Sequence, residues 1–337
     1  MKTLLAAALA AGLAPPALAQ RADVTIGMQL EPPMLDPTAG AAAAIDEVVY
    51  ANVFEGLTRF APDGSIRPAL ARDWTISGDG LTYTFELVEG ATFHDGTAFD
   101  AEDVTFSLDR ARGQDSTNAQ KGLFAAIETV EAVDPATVRV TLSRPEGNLL
   151  FNLAWGDAVI VAPESAETNA NQPVGTGPFR FARWVKGDRV EIERNPDYWG
   201  APPALARATF KFIADPTAAF AAVMAEDVDA FPAFPAPEIL PQFEADPRFA
   251  VTVGSTEGET ILAINNAREP LDDVRVRQAI AHAIDRQAIL DGAMFGYGTP
   301  IGTHFAPHHP AYLDLTAQSA HDPEAARALL EIGRAHV

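Results

Sequence analysis

Three stretches of this 337-residue sequence hold residue types capable of chemistry. His304, His308 and His309 lie close together beside Pro307 and Pro310, and histidines so placed can bind a metal. No ordered ligand spacing accompanies them, so a polar, proline-rich loop is the preferred reading. Phe93-His-Asp-Gly-Thr97 sets His94 beside Asp95, a pair that would suit a metal or a catalytic role. A turn explains it better, with Gly96 allowing positive φ and Asp95 bonding local backbone. Val174-Gly-Thr-Gly-Pro-Phe179 contains a Gly-x-Gly, but Pro178 and the missing third glycine break the dinucleotide pattern, and a hinge or crossover is expected there. The sequence has no cysteine, no Gly-x-Ser-x-Gly and no His-Glu-x-x-His, so the usual secreted hydrolases lack their parts. Carboxylates are abundant enough for an acid-pair glycosidase, which remains the rival reading. No catalytic residue, no metal site and no cofactor is expected, and the chain is not expected to be an enzyme.

The elements around these stretches follow from apolar periodicity. Val24, Ile26 and Met28 alternate with polar neighbours and predict an opening strand, stopped by the prolines of Glu31-Pro-Pro-Met-Leu-Asp-Pro37. A helix is expected through Ile45, Val48, Val49 and Val53, ending near Gly56. Pro62-Asp63-Gly64 and Asp79-Gly80 are turns, and Tyr83, Phe85 and Leu87 alternate behind the second. Asp100 caps a helix with Asp103 at its third position. A strand pair is expected to flank the Asp134-Pro135 turn, where Val138, Val140 and Leu142 alternate. Strands are also expected at Phe179–Trp184, Val190–Ile192, Phe210–Phe212, Val228–Phe231 and Ile261–Ile264. Asp215 starts a helix, and Asp272 or Asp273 starts a longer one that buries Val276, Ala279, Ile280, Ala283 and Ile284. The alternation of strand and helix after Pro173 predicts an α/β lobe.

Acidic residues outnumber basic ones 46 to 24, and the net charge of -22 disfavours nucleic acid and anionic lipid as partners. Residues 1–19 have the form of a secretory signal peptide: Lys2, an apolar run from Leu4 to Leu13, and Ala17-Leu18-Ala19 before the cut. Without a cysteine there is neither a disulfide nor an N-terminal lipid anchor. No later run has a membrane-spanning length, so the product is expected in the periplasm and not embedded in a membrane.

Eight segments in order resemble the extracellular solute-binding proteins of family 5, the peptide and nickel class of ABC importers. They are Glu31–Pro37, Phe54-Glu-Gly-Leu57, Asp79–Phe85, Phe93–Thr97, Ala101-Glu-Asp-Val104, Val174–Phe179, Arg194-Asn-Pro-Asp-Tyr-Trp199 and Asp273–Ile280. The resemblance implies an α/β, mixed α+β, two-lobe periplasmic binding protein-like fold of the peptide-binding class, its second lobe incomplete. Lobe one is expected to comprise residues 20–57 and 171–258, with 58–170 an α+β insert, and lobe two to start at 259–331. The implied function is capture of a di- or oligopeptide and its delivery to a permease and ATPase. A nickel chelate, haem or sugar is the alternative solute, and a role feeding a chemoreceptor stays open. The chain is expected to act as a monomer. The resemblance points to Gln29, Leu30, Glu31, Ala41 and Ala42 as ligand lining in lobe one, and to Asn265 and Asn266 in lobe two.

The last residues carry a separate expectation. Asp322 caps a helix that family members share, and the family continues beyond it. One codon set for Glu331 to Val337 matches, after its first letter, a widely used sequencing-library adapter. Residues 332–337 are therefore expected to be translated adapter at the end of a shortened reading frame.

Overall fold

The computed structural model describes residues 22–334 except 257 and 310; residues 1–19, read as a signal peptide, and 335–337 of the adapter reading lie outside the described residues. The chain divides at Phe234/Pro235 into two compact units.

Unit one opens with β1 (Asp23–Met28), α1 (Ala43–Val49), the hairpin β2 (Thr58–Phe60) and β3 (Ile66–Pro68), then β4 (Ala71–Ile76) and β5 (Thr82–Leu87). It continues through α2 (Ala101–Arg112), β6 (Ile127–Asp134), β7 (Thr137–Leu142), α3 (Leu149–Asn152), β8 (Phe179–Val185), β9 (Arg189–Arg194), β10 (Arg207–Phe212) and α4 (Pro216–Met224). Two four-stranded sheets result. One is ordered β1-β10-β9-β8, with β1 parallel to β10 and the rest antiparallel. The other, β4-β5-β7-β6, is antiparallel throughout.

The expected alternation is realised in the second sheet. Tyr83, Phe85 and Leu87 of β5 and Val138, Val140 and Leu142 of β7 all point into one apolar core. Helix α2 packs on β6 and β7 through Val104, Leu108 and Ala111. It starts where expected: Asp100 accepts from the Glu102 amide at 2.8 Å, and Asp103 accepts from the Asp100 amide at 2.9 Å. That capping box satisfies amides the helix leaves open. The first sheet encloses a second core, in which Ile45, Val48 and Val49 of α1 meet Val190, Ile192 and Phe210.

Three expectations need correction. Helix α1 stops at Val49, short of Gly56, because Ala51 adopts a left-handed φ of 56° and turns the chain back, its amide bonding the Phe54 carbonyl. Val228–Phe231 is no strand. It makes one bridge, Ala230 to Ile26, while the Asp229 carboxylate takes the Thr25 amide that a ladder would use, and Pro232 has no amide to continue with. Ile261–Ile264 also forms no strand. A strand needs a neighbour for its amides and carbonyls, and the described residues of unit two supply none.

Unit two consists of α5 (Leu240–Glu244), α6 (Val274–Ala283), α7 (Arg286–Ala293) and α8 (Pro323–Arg334) with long connections. Asp273 caps α6, as expected, and Asp322 accepts from the Glu324 and Ala325 amides at the start of α8. Helices α6 and α8 pack together, tied by the Asp322 amide on the His282 carbonyl at 2.9 Å. Of the residues expected on the buried face of α6, Ala279 is buried, Val276 and Ile280 are half-buried and Ala283 is exposed, while Ile284 lies past the helix end at Ala283. Among the described residues no helix is long and apolar enough to cross a membrane.

Candidate functional site

The loop after β1 meets α2 through a carboxylate withdrawn from water. Asp36 is 2% exposed and accepts from the Thr38 amide at 2.9 Å and the Thr38 hydroxyl at 2.6 Å. Arg110, near the end of α2, adds Nη2 at 3.4 Å to Asp36 and Nη1 at 2.5 Å to the Thr38 hydroxyl. A buried carboxylate demands such a counter-charge, and deleting the cation alone would cost about 3–5 kcal/mol. One turn earlier, the Ser107 hydroxyl both donates to and accepts from the Val161 backbone at 3.0 Å, fixing that segment against α2.

These residues wall a cavity of about 310 Å³, lined by Thr38, Ser107, Arg110, Val161 and the segment Gly113–Thr117. That volume is at the lower end of the range for small-molecule sites. The lining segment is held from behind. Asn118 is buried and bonds the Asp157 carbonyl at 2.8 Å, and Lys121 bonds the Gln114 carbonyl at 3.1 Å. The Arg110 side chain is 31% exposed, so it reaches the cavity with its orientation already set by Asp36.

A second polar cluster lies elsewhere in unit one. Glu55 accepts from the Thr176 hydroxyl at 2.9 Å, the Tyr198 hydroxyl at 2.8 Å and the Trp199 indole N–H at 2.9 Å. Burial holds its carboxyl above the usual range, and these three donors offset only part of that rise. His94 joins the same region: its Nδ1 accepts the Gly175 amide at 3.2 Å, and its Nε2–H donates to the Gly177 carbonyl at 2.9 Å. Burial lowers its pKa to about 4, so the ring is neutral, the form this pair of bonds requires. The glycines are demanded by space. A Cβ on Gly175 would run into the Val53 carbonyl oxygen, and one on Gly177 into that of Asn52. Four of the eight sequence segments thus converge on one knot. The turn reading of Phe93–Thr97 holds, with Asp95 accepting from the Thr97 amide at 3.0 Å and Gly96 at a φ of 90°.

The residues singled out from the sequence are distributed as follows. Gln29 and Leu30 are exposed just beyond β1. Glu31 bonds within the chain, accepting from the Trp184 indole at 2.9 Å and the Gly187 amide at 3.1 Å in the β8–β9 turn. Ala41 and Ala42 are exposed immediately before α1. Asn265 and Asn266 are exposed in unit two, where the Asn265 side chain accepts from the Ala267 amide at 3.1 Å within a turn. None of these seven lines the 310 Å³ cavity. Sequence reasoning missed Thr38, Arg110 and Gln114–Thr117. The available signal was slight: Arg110 and Arg112 close a helix more than seventy residues along the chain from Leu35-Asp-Pro-Thr38. In unit two His304 Nδ1 lies 3.0 Å from Glu259, and His309 stacks on Phe305 at 4.6 Å. Among the described residues no group of three or more His, Cys, Asp or Glu is arranged to hold a metal.

Residues 65–333 match the family model described as bacterial extracellular solute-binding proteins, family 5 Middle. The glutathione-binding protein GsiB of Pectobacterium atrosepticum is 34% identical over 303 residues, covering 88% of this chain and 58% of that protein. DppA from Helicobacter pylori, an ABC transporter-associated periplasmic binding protein solved with the peptide STSA, superposes with a TM-score of 0.83. It is 26% identical over 92% of this chain and 66% of its own. NikZ from Campylobacter jejuni, solved with Ni(L-His), gives a TM-score of 0.81 at 27% identity, covering 93% of this chain and 63% of its own. The chain therefore spans about three fifths of the length of the relatives it matches.

Proposed function

Because the chain belongs to family 5 of the bacterial extracellular solute-binding proteins, we propose that it captures a peptide-like solute in the periplasm and hands it to an ABC importer's permease and ATPase. Glutathione is the first solute to consider. The observation that carries this is the 34% identity to a glutathione-binding protein across 88% of the chain. The family consists of binding proteins, and no bond is made or broken. Ligand stabilises a closed form in proportion to its better contacts there. In this reading residues 20–57 and 171–258 form lobe one with 58–170 as its insert, and 259–331 begin lobe two. Gln29, Leu30, Ala41 and Ala42 line the solute from lobe one and Asn265 and Asn266 from lobe two, while Glu31 positions its loop through Trp184 and Gly187. The likeness to NikZ with Ni(L-His) supports a second reading, a metal chelate as solute.

A thermal-shift screen tests both, since ligand that binds only the native state raises the melting temperature by mass action. We expect glutathione or short peptides to raise it. A shift with nickel-histidine alone would replace the solute and keep the class. No shift with any of these would overturn the peptide-like reading.

A further inference from the structure

The 310 Å³ cavity of unit one presents one cation and one anion a few residues apart in sequence, and this pairing defines a ligand chemistry. Resting on the proposed function, we infer that the cavity takes the free α-amino-carboxylate head group of the solute, with Arg110 on its carboxylate and Asp115 on its ammonium.

Arg110 has the donors for this. A guanidinium carries five N–H groups. One is directed to Thr38 and one, at 3.4 Å, to Asp36, which leaves three without a protein partner among the described residues. Asp36 is too deeply buried to meet a ligand itself. Its effect is to hold the arginine plane in place, which lowers the ordering cost of binding. A planar fork held this way suits two-point recognition of a carboxylate.

Asp115 supplies the opposite charge. It is exposed, lines the same cavity, and makes no hydrogen bond or ion pair among the described residues. It follows the end of α2, where the last carbonyls of a helix lack intrahelical partners and favour a cation. The segment that carries it is anchored by Asn118 and Lys121, so the carboxylate sits on a fixed loop. A carboxylate site alone would need no acid in its wall, and an amine site alone would be opposed by Arg110. A zwitterion with both charges on one carbon satisfies both.

Glutathione carries such a head group because its glutamate is joined through the side chain. Its isomer with an ordinary α-peptide bond between Glu and Cys has the same atoms and lacks it. Calorimetric titration of the protein with each isomer is the test. We expect glutathione to bind at least tenfold more tightly, N-acetylglutathione to lose a similar factor, and Asp115→Asn to abolish the difference between glutathione and its N-acetyl form. Replacing Arg110 risks unfolding through Asp36, so Thr117→Tyr, which fills the cavity from an exposed position, is the second variant and should weaken glutathione tenfold or more. Equal affinity for the two isomers, or full affinity in Thr117→Tyr, would overturn the head-group assignment and leave the peptide-like reading standing. Failure of both isomers to bind the wild-type protein would overturn that reading and this assignment with it.

Discussion

His94 shows how one buried side chain ties a turn to a distant segment and makes stability depend on pH. Its ring accepts from Gly175 and donates to Gly177, more than eighty residues away along the chain. Protonation would put a second proton where the Gly175 amide points. The folded pKa is about 4, against 6.5 for a free histidine, so the unfolded chain binds the extra proton first. The contribution of His94 is therefore complete above about pH 6.5 and falls as pH drops toward 4, by about 3 kcal/mol in all. Asp46 and Asp103 work in the opposite sense, because burial raises each to about 6 and the folded state then holds their protons more tightly. The histidine's share is isolated by comparing wild type with His94→Gln in urea at pH 7 and pH 4. The gap between the two should shrink at the lower pH. A gap independent of pH would show that His94 does not titrate in this way.

At the scale of elements, the segment Gly175–Phe179 is held by backbone. The Gly177 amide bonds the Val53 carbonyl at 3.0 Å and the Phe179 amide bonds the Asn52 carbonyl at 2.9 Å. A side chain at Gly177 would strike the Asn52 carbonyl and push β8 from the end of α1. Gly177→Ala should cost about 3 kcal/mol or more, through overpacking that no rotamer relieves. Gly122 is the matched control: a methyl group there would meet nothing within 4 Å, so Gly122→Ala should change stability by less than about 0.5 kcal/mol. Denaturant midpoints of the two variants check this, and equal losses would refute the close-approach argument. Such a position is recognisable in sequence as a Gly-x-Gly, but the chain it approaches is not.

At the scale of the molecule, the two units differ in how they treat apolar side chains. Unit one buries large residues such as Phe54, Phe85 and Phe93 completely or nearly so. Unit two exposes Val253, Ile261, Leu262, Phe295 and Leu313, Leu262 at 66%. Exposed apolar side chains favour association, and the net charge of -22 opposes it. Salt screens that repulsion. Light scattering of the protein should therefore rise between low and about 0.5 M salt, and the double variant Ile261→Ser, Leu262→Ser should reduce the rise. Scattering that does not respond to salt would contradict this balance of forces.

Local rules made most strands of both sheets, the Asp100–Asp103 capping box, the Asp95 turn and the helix starts at Asp215, Asp273 and Asp322 legible in the sequence. Each depends on contacts within a few residues or on a two-residue period, and the order of eight short segments identified the family. What stayed hidden has one physical cause: a buried charge takes its partners from wherever the chain returns. Glu55 finds Thr176 121 residues away, and Tyr198 and Trp199 143 and 144 residues away. Arg110 finds Asp36 across 74 residues, and so becomes part of a cavity wall that no spacing announces. The same holds for Val228–Phe231 and Ile261–Ile264, whose apolar character suited strands. Whether they became strands depended on neighbours that the folded chain alone could supply or withhold. Most of the elements, the charge and the family could thus be read along the chain. Which side chains face a cavity could not, because desolvated polar groups must be paired by contacts distant in sequence.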